Sequence, residues 1–221
     1  MTMKLTKILT VALALVFAFG TASFAQTKEA SKAGKKEIKA KAVKEARKEA
    51  KKFKKEGYHV APGALPMEKQ IESAWIRQYE SDEDGFPLYI VASGNSVANT
   101  QSAAKLQATE LAKLELAGSI STQVAALIEN SIANQQFNNE EAASVTKTVA
   151  ASKNIIAQEL GRTLPLFEIY RDVNKNVESN VRIAYNSQKA MDIARKAISK
   201  KLEEETDIAH DKLEKLMKWD N

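Results

Sequence analysis

The side chains that most often perform catalysis or bind metals are scarce in this chain of 221 residues. Cysteine is absent, which excludes disulfides, thiolate metal ligands, a cysteine nucleophile and a lipid-modified cysteine. His59 and His210 are the only histidines, and they leave little material for a histidine metal site or a catalytic triad. We therefore expect no metal, no cofactor and no enzymatic activity.

Carboxylates are the next candidates for chemistry. The acidic run 82–84 lacks the spaced ligands of a calcium loop, so we interpret it as a solvated turn. A hydrolase of the cell envelope would need a paired acid and base, for which Glu110, Glu115 and Asp172 are available. Nothing in their spacing singles them out, and this stays the weakest of three functional hypotheses.

Aromatic side chains suggest a second hypothesis, a binding module for a small ligand or a glycan. Trp75, Tyr79, Phe86 and Tyr89 lie close together in the sequence. Such a module needs a concave aromatic site with a few convergent polar groups. The competing interpretation is that Trp75 simply belongs to the core or covers it.

Lysine supplies the strongest pattern. Residues 26–56 carry 13 basic and 5 acidic residues, whereas residues 57–221 carry 18 basic and 23 acidic residues. This segregation excludes a uniformly basic nucleic-acid-binding domain. No aromatics alternate with the lysines for base stacking, so we expect no nucleic-acid partner. The segment is either an arm that binds an anionic surface or a solvated spacer helix. The residues expected to touch an anionic membrane or glycan are Lys35, Lys36, Lys39, Arg47, Lys51, Lys52, Lys54 and Lys55.

The N-terminus has the pattern of a secretory signal peptide. Lys4 and Lys7 precede an apolar run over residues 8–19, and small residues at Ser23 and Ala25 suit a signal peptidase. We predict cleavage after Ala25 and an exported protein. The apolar run is shorter than the roughly 20 residues needed to cross a bilayer. No second run of spanning length is evident.

The remaining patterns indicate the elements that position these groups. Residues 26–56 are strong helix formers, and the segment 57–80 holds a Gly/Pro hinge and a short helix. From residue 81 to 221 we predict a strand over 87–92, a long helix capped by Asn99 or Thr100, and a second helix from Asn139. A hairpin turning at 174–176 and a last helix from Asn186 or Ser187 complete this domain.

Together these elements predict an α+β fold of two layers, with a small antiparallel sheet packed on long helices and an N-terminal basic helix. The apolar stripe of the last helix continues beyond Glu205 to Leu216. We therefore expect one helix about 45 Å long, longer than the sheet beside it, whose second half projects or packs on the N-terminal arm or on another copy.

Two stretches carry a family resemblance, LYIVASGNSVANTQSAAKLQATELAKLELAGSISTQV and YRDVNKNVESNVRIAYNSQKA. They resemble the core and closing hairpin of the twenty-kilodalton outer-membrane lipoprotein family, over roughly residues 87–190. The first stretch is also similar to the N-terminal domain of a flagellar assembly protein, the T component. This chain departs from the lipoprotein pattern because it lacks the lipobox cysteine.

The resemblance implies a structural or accessory envelope protein of a Gram-negative bacterium, with no functional residues to carry over. It places the protein in the periplasm or at the outer-membrane periphery. We accordingly expect an exported, non-enzymatic protein that contacts an envelope protein partner or itself. Its basic arm would contact an anionic membrane or glycan.

Overall fold

The computed structural model describes residues 22–134 and 137–218, with the side chains of 22–36, 38 and 39 excepted. The chain divides into two compact units, residues 1–44 and 45–221. The described part of the first unit is helical backbone. Most of the predicted signal peptide, residues 1–21, lies outside the described residues.

The described residues form seven helices and one three-stranded sheet. The helices are α1 (Ala22–Lys55), α2 (Met67–Gln78), α3 (Gln101–Asn134), α4 (Asn139–Ala151), α5 (Lys153–Glu159), α6 (Ser187–Glu205) and α7 (His210–Leu216). The strands are β1 (Tyr89–Ala98), β2 (Leu164–Val173) and β3 (Asn176–Asn186). The predicted α+β fold is confirmed.

Short polar side chains begin three of the helices. Thr100 accepts a hydrogen bond from the Ala103 amide at 3.2 Å and so caps α3, as predicted. Asn186 accepts from the Lys189 amide at 3.0 Å and caps α6, so this helix begins where the sequence predicted its start. The cap of α4 is Asn138, which forms a reciprocal capping box with Glu141.

The sheet is antiparallel in the order β1-β3-β2, so β1 and β2 are its edge strands. The predicted hairpin joins β2 to β3, and Asn174 takes the left-handed conformation in the turn (φ 56°). β1 pairs with β3 without interruption from Tyr89 to Ala98. The strand thus continues past Ser93-Gly94, where the sequence predicted its end.

Helices cover the sheet on both faces. The larger cluster joins α3, α4, α5, α6 and α7 to the face formed by Ala92, Val181 and Ile183. The smaller cluster covers the other face, where Phe167 and Ala184 pack against α2 and against residues 45–55 at the end of α1. The sequence predicted helices on one face, because it assigned residues 26–80 to an arm and a hinge. This second contact was missed because its helix positions, Ala46 and Ala50, are small and lie in a Lys-rich segment, so they do not form an evident apolar stripe.

The C-terminal helix is broken, and the prediction of one continuous, projecting helix is wrong. The chain leaves helical geometry at Thr206, whose hydroxyl donates to the Leu202 carbonyl at 2.7 Å. A short link containing the buried Ile208 then returns the chain to the core. In α7, Leu213 and Leu216 are buried in the main cluster. The apolar side chains of the C-terminal segment are therefore buried because the chain folds back onto the core, and this segment does not project.

Helix α3 is long and apolar enough to span a membrane by length and composition alone. The expectation that no second such run exists is therefore wrong. Buried core helices of soluble proteins meet the same test, and α3 buries Ala104, Ala108 and Leu116 in this fold.

Candidate functional site

The last three turns of α1 have two unlike sides. Ala46 and Ala50 are buried against the second face of the sheet. A helix places residues five and nine positions after Ala46 on the opposite side, and Lys51 and Lys55 are indeed exposed. We name this exposed side the basic stripe, and it consists of Arg47, Lys48, Lys51, Lys52 and Lys55.

The structure describes the side chains of five of the eight cations predicted to touch an anionic surface. Arg47, Lys51, Lys52, Lys54 and Lys55 are all exposed. Lys54 forms an ion pair with Glu68, and Lys52 lies 3.9 Å from Glu56. Arg47, Lys51 and Lys55 form no ion pair with the residues that the structure describes. The side chains of Lys35, Lys36 and Lys39 lie outside the described residues.

Glu49 fixes this end of α1 to the sheet. One carboxylate oxygen accepts from the Trp75 indole nitrogen at 2.6 Å, and the other lies 2.9 Å from the Arg182 guanidinium. Arg182 in turn lies over the ring of Phe167, 4.7 Å from its centroid. Sequence reasoning missed this role of Glu49. The available signal was a glutamate three residues after Ala46, on the apolar side of the helix.

The aromatic residues proposed for ligand binding are spread over different contacts. Trp75 stacks on Tyr79 with ring centroids 5.6 Å apart, and its indole N–H is taken by Glu49. Tyr89 lies beneath the guanidinium of Arg77 at 5.2 Å, whereas Phe86 is exposed in the turn before β1. None of the four lines either of the two grooves described below.

The candidate carboxylates lie in three settings. Glu110 pairs with Lys113 at 2.9 Å within α3, and Glu115 lines a groove beside β1. Asp172 is exposed opposite Val177 in the hairpin. In the acidic turn, one oxygen of Asp82 accepts from the backbone amides of Asp84 and Phe86. That carboxylate therefore shapes the turn.

Glu178 is the most enclosed carboxylate that the structure describes. Burial alone would raise its pKa. Hydrogen bonds donated by Arg171, Asn95 and Tyr58 outweigh burial and hold the pKa of Glu178 below its usual value. The pKa of Tyr58 is raised by burial and by its contact with Glu178. Arg171 also covers the Tyr58 ring at 4.8 Å, so this network ties the residues after α1 to the β2–β3 hairpin.

The surface of the described residues includes two grooves. One, of about 590 Å³, lies between the end of α3 and α4 and is lined by four alanines together with Glu129, Ile132, Thr146 and Lys147. The other, of about 400 Å³, lies beside β1. It is lined by Gln78, Val91, Ala92, Ser93, Glu115 and Arg182.

Among the side chains that the structure describes, no three from histidine or acidic residues lie close enough together to hold a metal ion. No protein-family model, curated protein or solved structure matches this chain. The resemblance to the twenty-kilodalton lipoprotein family therefore stays a prediction.

Proposed function

We propose that this protein is an exported, non-enzymatic component of the cell envelope, structural or accessory in role. It is held at an anionic surface, a membrane or a glycan, by the basic stripe, and it contacts protein partners through its α+β domain. The observation that carries the proposal is the arrangement of the stripe. Five cations share one exposed side of a helix whose opposite side is buried on the sheet.

The stripe can act as a binding surface because the helix that carries it is fixed to the sheet. Glu49 is occupied by Trp75 and Arg182, so it does not neutralise the stripe locally. Within the stripe, Lys48 pairs with Glu45 at 2.9 Å and Lys52 lies 3.9 Å from Glu56, whereas Arg47, Lys51 and Lys55 form no ion pair with the described residues. Because Ala46 and Ala50 fix the helix, the cations project from a defined surface rather than from a free tail. Each Lys or Arg close to an anionic leaflet contributes about 1 kcal/mol to membrane attachment. Arg47, Lys51 and Lys55, with added contributions from the paired Lys48 and Lys52, suffice for reversible, salt-sensitive binding.

The test is co-sedimentation of the exported chain with vesicles that contain phosphatidylglycerol, at low and high salt. The variant carries Arg47→Gln, Lys51→Gln, Lys52→Gln and Lys55→Gln, since glutamine preserves helix propensity. We expect a loss of at least about a hundredfold in affinity at low salt, because four attractions of this size are removed. Wild-type binding should also weaken as salt screens the charges.

The matched control removes the same number of charges elsewhere on the surface, with Lys147→Gln, Lys175→Gln, Lys196→Gln and Lys200→Gln. These lysines are exposed on other elements, and we expect their loss to change affinity less than threefold. Equal loss in both variants would mean that net charge, and not the stripe, governs binding. Wild-type protein that ignores the vesicles but binds a soluble anionic glycan through the stripe would identify the glycan as the surface.

A further inference from the structure

The free edge of β1 carries backbone groups with no strand beside them in the described fold. Ser187 donates its amide to the Leu88 carbonyl at 2.9 Å, and the pairing with β3 then runs without a shift. In an antiparallel ladder, residues alternate between bonding to one neighbour and to the other. The even-numbered residues of β1 therefore bond to β3. The outward N–H and C=O groups belong to Tyr89, Val91, Ser93, Asn95 and Val97.

This edge lacks the usual protection against pairing. Edge strands are commonly blunted by lysine, proline, a bulge or a covering element. The ten residues of β1 contain no charge and no proline, and their register with β3 has no bulge. The other edge strand, β2, is partly covered by the bridge between His59 and Tyr170. Within the described fold, β1 is therefore the edge that is open to a further strand.

The groove of about 400 Å³ beside β1 passes around this edge. Its lining includes Val91, which packs on the smaller cluster, and Ala92, which is buried in the main cluster. These clusters lie on opposite faces of the sheet, and β3 closes the inner side of β1. The groove can join the two faces only at the free edge. Gln78 of α2 and Glu115 of α3 complete the lining, one from each face.

One flank of helix α3 stands over the free edge. The Ser96 hydroxyl of β1 donates to the side-chain oxygen of Gln107 at 2.7 Å. On the other flank of the helix, Lys105 forms an ion pair at 2.8 Å with Glu168 of β2, at the far side of the sheet. The flank that carries Gln107 therefore faces the edge of β1.

Leu111 and Glu115 follow Gln107 at intervals of four residues, so they share this flank. Leu111 is 47% exposed, and Leu114 beside it is 36% exposed. Glu115 is exposed and forms no ion pair with the residues that the structure describes. An apolar side chain and an uncompensated carboxylate thus stand together above an unpaired strand.

The space at this edge admits a lone strand but not a second copy paired through its own β1. A Cβ atom on Gly94 would lie 2.0 Å from the Ala108 carbonyl oxygen, so α3 rests directly on β1. Paired strands lie only about 4.8 Å apart, whereas a helix with its side chains is about 10 Å across. Two copies of α3 would therefore collide, and the occupant must be an extended segment without a helix above it.

We propose that the β1 edge binds an extended segment of a partner protein, with an apolar side chain on Leu111 and a lysine or arginine two residues away on Glu115. The outward N–H and C=O groups of β1 pair with the backbone of this segment. The proposal rests on the proposed contact with protein partners and names its site. It does not depend on the basic stripe.

The spacing of the two α3 residues sets the pattern of the bound segment. Four helical residues advance about 6 Å along the axis, which separates Leu111 from Glu115. Two strand residues advance about 6.7 Å and return to the same face. Alternate residues of the segment therefore match the two positions on α3. The free carboxylate of Glu115 favours a cation there, and Leu111 favours an apolar group.

Selection from random peptides ten residues long, the length of β1, tests this chemistry on the exported chain. Wild type should enrich peptides with an apolar residue two positions from a lysine or arginine. Glu115→Lys should bind these peptides at least about tenfold more weakly and enrich an acidic residue instead, because like charges would meet. The matched control is Glu129→Lys, an exposed position of the same helix in the other groove. It should select the same peptides as wild type.

The variant that lacks four cations of the basic stripe separates the two proposals. It should select the same peptides as wild type even where its affinity for vesicles is lost. Loss of vesicle binding with peptide selection intact would overturn surface attachment alone. If wild type enriches no peptide, or if wild type and Glu115→Lys select the same peptides, binding at the β1 edge is overturned alone.

Amide hydrogen exchange measured by NMR tests the backbone pairing, with a synthetic copy of an enriched peptide. Exchange at the outward amides of Val91, Ser93 and Asn95 should slow at least about tenfold, whereas Ala92 already bonds to β3 and should change less. Ser93→Pro removes an outward amide without removing a bond to β3, so it should weaken the peptide at least about tenfold. Ser93→Ala is its control and should bind as wild type does. A bound peptide that leaves the outward amides unprotected would overturn the proposal.

Discussion

At the scale of single residues, Gly94 sets how closely β1 approaches α3. A Cβ atom added there would lie 2.0 Å from the Ala108 carbonyl oxygen and 2.6 Å from the Ala112 amide nitrogen. Both atoms are helix backbone, which cannot move aside as a flexible side chain does. We expect Gly94→Ala to lower the free energy of unfolding by about 3 kcal/mol or more, measured by urea denaturation.

Gly118 provides the control, because it lies in α3, the helix that Gly94 of β1 approaches. A Cβ atom there would meet only the end of the Lys153 side chain, at 3.2 Å. Alanine is the better helix former by about 1 kcal/mol, so Gly118→Ala should be neutral or stabilising. Equal destabilisation by the two substitutions would contradict the close contact assigned to Gly94.

Glu178 makes a prediction about pH. Its pKa is held below the usual 4.5 by donors that outweigh burial, so the ionised form is preferred in the folded state. Its contribution to stability is therefore complete above the unfolded pKa and is lost as the pH falls through the lower folded pKa. We expect Glu178→Gln to reduce unfolding free energy by about 2 kcal/mol at pH 7.

The difference in unfolding free energy between wild type and Glu178→Gln should be constant above about pH 5.5 and should become smaller below pH 4.5. Chemical denaturation at several pH values measures it. Glu83→Gln in the exposed acidic turn is the control, and we expect less than about 0.5 kcal/mol of change from it at any pH. If this difference in unfolding free energy became larger in acid, the assignment of a lowered pKa to Glu178 would be contradicted.

At the scale of elements, a substitution in helix α7 tests whether the C-terminal end of the chain folds back onto the core. Leu216 is fully buried in the main cluster. Truncation of a buried leucine costs about 2–5 kcal/mol, so we expect Leu216→Ala to lower unfolding free energy within that range. Leu106→Ala, at a position that is 65% exposed, should change it by less than about 0.5 kcal/mol. If both substitutions had similarly small effects on unfolding free energy, the result would instead support the predicted projecting helix.

Local signals predicted the elements well where a residue's role depends on its sequence neighbours. The caps at Thr100 and Asn186 and the turn at Asn174 follow from short-range hydrogen bonding and backbone preference. The break at Thr206 had no glycine or proline to mark it. It arises because Ile208 and the last turn gain more from burial than a continuous helix offers.

The candidate site was predictable in part for the same reason. Lysines at helical spacing indicate an exposed face, and Lys51 and Lys55 lie on one. The ion pair of Lys54 with Glu68, and the contact of Glu49 with Arg182, join segments far apart in the chain. The groove beside β1 likewise needs Gln78 and Glu115 brought together by separate helices. No local pattern contains such information.

At the scale of the whole molecule, the basic stripe and the main cluster lie on opposite faces of the sheet. Residues 45–55 pack on the face opposite α3. The stripe therefore points away from the main cluster, where its cations can meet one anionic surface.

The cations of the stripe should act together on one surface, so attachment should weaken steeply as salt screens them. We expect the variant with Arg47→Gln, Lys51→Gln, Lys52→Gln and Lys55→Gln to show a shallower dependence of vesicle affinity on salt than wild type, because fewer charges act together. The variant with Lys147→Gln, Lys175→Gln, Lys196→Gln and Lys200→Gln removes the same number of charges elsewhere and should keep the wild-type dependence. An equally shallow dependence in both variants would show that net charge acts, and not the stripe.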